Sequence, residues 1–280
     1  VGGFTLGGVL GRFRKLSWIV WLATTCLGIA EIEPAPDADV AVVLRRMADR
    51  ARQVAQDTNA PIVMYTTLSS SETLDDSGAV RRAKEKVYHV SLRRGITHNR
   101  LISIDGRSLT ADESAVQSEK EKRWRDTYAG GRGGSMMERM DQLVNERLLS
   151  RFEFSVVGRE RVRDRICWVL DFRPQPGDLP EDRLMDRVIN LLRGRVWVSV
   201  EHDEIVRADV KTVGPLKLWG GMLGSLETFQ LHLDRDRSVL GAWYNRHAEV
   251  TVRARRLFTP VHVRLREVAS DVRRWVDPAP

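Results

Sequence analysis

Two short runs decide the fold: Gly194-Arg195-Val196-Trp197-Val198-Ser199-Val200-Glu201 and Ile205-Val206-Arg207-Ala208-Asp209-Val210. In each, apolar side chains recur at every second residue. Successive side chains of a strand point to opposite faces, so this period of two marks strands with one buried face. The residues between them, His202-Asp203-Glu204, read as the polar tip of a hairpin. The same alternation extends both ways. Upstream lie Phe152, Phe154 and Val156, then Ile166, Trp168, Leu170 and Phe172. Downstream lie Phe229, Leu231 and Leu233, then Tyr244, Ala248, Val250 and Val252, then Val261, Val263 and Leu265, with a last strand near 267–276. A short helix at about 181–192 interrupts the series, carrying Leu184, Val188 and Leu191 and stopped by Gly194.

Before this run the chain alternates between helices and strands. Val40, Val43, Leu44, Met47, Ala51 and Val54 fall three and four apart, which predicts an amphipathic helix over 38–56, capped by Asp37 or Asp39. Its arginines are read as a solvated face. Strands follow over Ile62–Leu74 and Val80–Arg93 around the turn Asp75-Asp76-Ser77-Gly78, with another at Leu101–Ile104. Thr110-Ala111-Asp112-Glu113 is a capping box opening a charged helix over 111–126. Ser135-Met136-Met137-Glu138 is a second capping box. Behind it Met137, Met140, Leu143, Val144 and Leu148 form a stripe that is either core or a soft surface for a lipid chain. The expectation is one α+β domain over 31–280: a large curled antiparallel sheet, a half-barrel of about ten strands, covered by helices on its concave side.

The N-terminus reads as an export signal. Arg12, Arg14 and Lys15 precede an uncharged apolar run, Leu16 to Ala30, too short for an ordinary spanning helix. Residues 1–30 are therefore expected to be a signal peptide cut after Ala30, a retained anchor and lipid attachment at Cys26 being the alternatives. Such a segment predicts an exported chain. The 280 residues hold 42% hydrophobic and 30% charged positions, too apolar for a disordered chain and with ordinary Gly and Pro. Without Cys26 only Cys167 remains, so no internal disulfide can form, and its setting, Ile166-Cys167-Trp168-Val169-Leu170, predicts a buried thiol. The net charge of +7 raises nucleic acid as a partner, but export and the interspersed acids point away from it. Arg253, Arg255, Arg256, Arg264 and Arg266 suit peripheral contact with an anionic membrane surface.

The local patterns Val87-Tyr88-His89-Val90, Leu101-Ile102-Ser103-Ile104-Asp105-Gly106-Arg107-Ser108-Leu109, Gly194 to Glu201, Ile205 to Val210 and Gly220-Gly221-Met222-Leu223-Gly224-Ser225-Leu226 occur in the order seen here in another group of proteins. The chain resembles the exported outer-membrane lipoprotein-sorting proteins of the LolA/LolB type, most closely uncharacterised members. The resemblance spans nearly the whole mature chain. It implies a curled sheet around an apolar cavity and a hydrophobic ligand such as lipid or lipoprotein acyl chains.

No catalytic signature is present. None of the six histidines lies three or four residues from another, as a helical metal motif requires, and neither Gly-x-Ser-x-Gly nor a phosphate loop appears. Glu153 and Asp171 alternate with buried residues and are expected to face solvent. No enzyme activity, cofactor or metal is expected. The segment Val213 to Gly224 gathers Leu216, Leu218, Trp219, Met222 and Leu223 among four glycines, and either plugs the open end of the sheet or forms a ligand mouth. The candidate cavity residues are Met140, Trp168, Trp197, Leu218, Trp219 and Met222. The competing function is an envelope interaction module with the same fold and a filled core.

Overall fold

The computed structural model describes residues 32–33, 39–57, 59–60, 62–93, 96–129, 146–177, 179–181, 184–218, 224–256 and 259–274. The chain divides into Val1–Ala30 and Glu31–Pro280, and every described residue lies in the second part. The expected export segment, the second capping box and the methionines behind it therefore lie outside the described residues. No described helix is long and apolar enough to cross a membrane.

Helix α1 spans Val40–Gln56. Asp39 caps it, its Oδ1 accepting the Ala41 N–H at 2.8 Å. Val43, Met47 and Ala48 are its buried face. Strands β1 (Val63–Leu74), β2 (Val80–Arg93), β3 (Ile96–Ile104) and the two-residue β4 (Arg107–Ser108) form a meander. The β1–β2 turn is built by Asp75, whose Oδ1 accepts from the Ser77 and Ala79 backbone N–H groups, each at 2.9 Å. Helix α2 (Ala111–Ala129) starts at the predicted box: Thr110 Oγ1 accepts the Glu113 N–H at 3.3 Å and Glu113 Oε2 accepts the Thr110 N–H at 2.9 Å.

After the short α3 (Glu146–Leu149) come β5 (Phe152–Val162), β6 (Arg165–Pro174), α4 (Leu184–Ile189), β7 (Leu192–Ser199), β8 (Ile205–Thr212), β9 (Leu216–Leu218), β10 (Gly224–Arg237), β11 (Trp243–Arg256) and β12 (Thr259–Arg274). The alternating sets around Leu265 and 267–276, read as two strands, are one: β12 runs unbroken for 16 residues. Part of the glycine-rich segment is also strand, since β9 pairs with β10.

Among the described residues all twelve strands belong to one sheet in the order β4-β3-β2-β1-β12-β11-β10-β8-β7-β6-β5, with β9 appended to β10. Every pairing is antiparallel. The two meanders are joined by pairing of β1 with the last strand, Val63 opposite Arg274. Between β2 and β5 lie eight strand spacings, roughly 38 Å in a flat sheet. Yet Leu92 of β2 and Phe152 of β5 line one cavity. The sheet is therefore strongly curled, and it remains open at β4 and β5.

The largest cluster of buried residues packs Val43 and Met47 of α1 on Leu170, Val196, Val198, Ala208, Leu233 and Ala248 of the sheet. On the other side of β6 and β7, Cys167, Val169 and Trp197 gather with Val162, Val206 and Trp243. The alternation breaks at Val206. The β7–β8 register shifts there, with Trp197 opposite Arg207 and Val198 opposite Ile205. This bulge puts Val206 in the second cluster while Ala208 and Val210 stay with the first. Ile32 packs on the second cluster and Glu33 bridges to Arg159. That crossing depends on Gly158, where a Cβ would sit 2.3 Å from the Glu33 carbonyl oxygen. Helix α2 lies against β3, and α1 is the helix that packs on the main core.

Candidate functional site

The concave face holds a cavity of about 1050 Å³. Alternation along β6, β7, β8, β10 and β12 delivers its sheet wall: Phe172, Val196, Ala208, Leu231, Leu233 and Leu265. Met47, Ala51 and Val54 of α1 form part of the opposing wall. Phe152 and Phe172 meet edge to face with ring centroids 5.1 Å apart.

One end of the cavity is polar. Glu204, at the base of the β7–β8 hairpin, receives Arg50 of α1 at 3.2 Å and Arg235 of β10 at 3.1 Å. Asp203 receives Arg46 at 3.0 Å. Two arginines read as solvated on α1 thus tether the helix to the hairpin tip. Arg235 is buried, and removing its charge from water is tolerable because Glu204 and the Ile205 carbonyl both accept from it. Trp243 also lines this end. Its indole N–H is buried and has no hydrogen-bond partner among the described residues.

Further along β12, burial pushes the Glu267 carboxyl above the usual carboxylate range, a Ser69 hydrogen bond opposing it. Tyr88 is raised too, by burial first and by the nearby Glu267 second. Both changes favour neutral groups beside the apolar core.

The six sequence candidates fall in three situations. Met140, Trp219 and Met222 lie outside the described residues. Leu218 ends β9, opposite Gly224, and its side chain is likewise outside the description. Trp168 is half-buried against the main cluster, with the Arg159 guanidinium 4.0 Å from its ring centroid. Trp197 packs in the second cluster and its Nε1 donates to Glu160 at 2.8 Å. Neither tryptophan is among the residues lining the cavity.

Sequence reasoning named the alternating sets that supply the sheet wall but missed Trp243, Asn245 and Arg235. The β10–β11 ladder is irregular between Asp234 and Arg235. That irregularity changes the phase of β11, so Trp243 and Asn245 line the cavity while Tyr244 packs on Tyr65, ring centroids 5.5 Å apart. The strand carboxylates form ion pairs: Glu153 with Arg173, and Asp171 with Arg195, each at 2.6 Å. The basic set on β11 and β12 is partly neutralised, Arg264 by Glu72 at 2.6 Å and Arg266 by Glu249 at 2.7 Å.

No family model matches the chain, and no curated protein matches it. It is similar to several solved structures. One is described as an outer membrane lipoprotein-sorting protein domain, from Vibrio parahaemolyticus (12% identity, 84% of this chain and 93% of that one, TM-score 0.37). Another is a LolA superfamily protein from Nitrosomonas europaea (10% identity, 84% and 94%, TM-score 0.31). A DUF1329 family protein from Desulfovibrio piger aligns at 13% identity over 86% and 95%, TM-score 0.30.

Proposed function

We propose that this chain is a non-catalytic carrier or binding protein for a hydrophobic ligand, a lipid or the acyl chains of a lipoprotein, working in the bacterial periplasm or envelope after export. The observation that carries this reading is the apolar cavity of about 1050 Å³ on the concave face. Small-molecule pockets span about 300–1000 Å³, so the space lies just above that range. A filled-core interaction module needs no such space.

The driving force is burial. Each methylene removed from water contributes about 0.8 kcal/mol. An acyl chain of some fifteen methylenes then gains on the order of 12 kcal/mol before losses of translational and chain entropy are subtracted. The polar end would orient the ligand. A carbonyl oxygen placed there would satisfy the Trp243 indole N–H. No bond is made or broken in this scheme.

The test is lipid extraction of the purified chain followed by mass spectrometry, together with titration by a fluorescent fatty acid. Copurifying lipid and saturable binding displaced by unlabelled fatty acid are expected. Clean extracts together with no saturable binding would overturn the reading.

A further inference from the structure

On β10 and β11, facing away from the cavity wall, three side chains converge. One ligating atom each from His232, Asp234 and His247 lies within 4.8 Å of the other two. We propose that these residues form a site for a divalent transition ion of zinc type, separate from the cavity.

The pattern comes from strand geometry. His232 and Asp234 are two apart on β10 and share a face, while Leu231 and Leu233 line the cavity on the other. His247 stands directly opposite Asp234 in the antiparallel ladder, where facing side chains come closest. A search for helical His spacing passes over such a set.

The neighbours hold the ligands as a metal site requires. His232 Nδ1 lies 2.5 Å from Asp209 Oδ1. A carboxylate only accepts, so Nδ1 carries the proton, and in the neutral tautomer the ring then presents its Nε2 lone pair. A second carboxylate fixing the tautomer of a ligating histidine is the usual support of a zinc ligand. Arg207 Nε and Arg163 Nη2 both engage Asp234 Oδ1, at 3.0 and 3.6 Å. That leaves Oδ2 facing His232 Nε2 at 3.4 Å. In that tautomer Nε2 and Oδ2 are both acceptors, and a cation between them removes their repulsion. Zinc bonds of about 2.0–2.2 Å in a tetrahedron put neighbouring ligand atoms roughly 3.3–3.6 Å apart, a range that includes the 3.4 Å His232–Asp234 spacing. His247 joins by rotation of its ring, whose centroid is 5.8 Å from that of His232. Two imidazoles and one carboxylate leave a fourth position for water.

The experiment is calorimetric titration of the full chain with Zn(II), with Co(II) absorption as a probe of coordination. One ion per chain at low micromolar protein and a tetrahedral Co(II) spectrum are expected. His232→Ala and His247→Gln should abolish both, and Asp209→Asn should weaken Zn(II) binding about 10- to 100-fold. His89→Ala should change neither. Circular dichroism checks that each variant folds, and His247→Gln keeps the test open if His232→Ala does not. Absence of stoichiometric binding, or binding unchanged in both histidine variants, overturns the proposal: a proton on His232 would then bridge the two carboxylates. Either result leaves the cavity reading untouched.

Discussion

Arg235 Nη1 of β10 lies 3.1 Å from Glu204 Oε2, and Arg50 of α1 approaches the other oxygen of the same carboxylate at 3.2 Å. One glutamate thereby ties the covering helix and the sheet together at the polar end of the cavity. Because the Arg235 side chain is 7% exposed, Glu204→Ala strands a buried charge. We expect a loss of about 3–5 kcal/mol, read as a lower urea midpoint. Glu204→Leu combined with Arg235→Met should recover part of it, since a matched apolar pair leaves no charge unpaired.

Filling the cavity should reduce ligand uptake without unfolding the chain. Leu231 lines the space and is only half-buried, so Leu231→Trp has room to enter it. Displacing about two methylenes of ligand at about 0.8 kcal/mol each corresponds to roughly a tenfold weaker fluorescent fatty-acid affinity. Lys211→Ala, at an exposed position, should leave the affinity unchanged. Equal affinities in both variants would place the ligand elsewhere.

Close approach of backbones at Gly194 makes it irreplaceable. A Cβ there would lie 2.1 Å from the Asp209 carbonyl oxygen on the neighbouring strand. Gly194→Ala must push β7 from β8 and should cost about 1–3 kcal/mol. Amide exchange should accelerate at Val196 and Ala208 before it does in β1.

Cys167 should behave as core, not as a nucleophile. Burial is the main reason its thiol is pushed up to about 11, so the thiolate is scarce at neutral pH. A maleimide should label the native chain slowly and the urea-unfolded chain at once. Fast native labelling would show that the second cluster opens.

Glu267 sets a pH dependence. Its folded-state value is raised by burial above the ordinary 4.5, so the native chain holds this proton more tightly than the unfolded chain does. Its contribution to stability is complete below the unfolded value and is lost as pH rises through the folded one. Glu267→Gln stays neutral throughout. From about pH 4 to about pH 7 the wild type should lose stability relative to this variant, measured by urea melts across that range. Parallel profiles would contradict the assignment.

Much of the sheet was legible because each strand writes its own period of two. The runs around Val196, Ala208 and Leu231 were read as one-faced strands, and they form the cavity wall. The Asp39 cap, the Thr110 box and the Asp75 turn were legible for the same reason: each is a bond between residues at most four apart. The bulge at Val206 and the irregularity before Arg235 were not, because a slipped register belongs to a pair of strands and not to either one.

The sequence by itself determined the local elements and which face of most strands is greasy, since backbone stereochemistry and burial act over a few neighbouring residues. Only the tertiary structure decided that β1 pairs with the last strand, that the sheet curls far enough for Leu92 and Phe152 to share one cavity, and that Arg50, Glu204 and Arg235 meet at its polar end. Those contacts join residues from 31 to 154 positions apart, or more across the β1–β12 seam. Their partners are chosen by packing of the whole chain, which no short window of sequence contains.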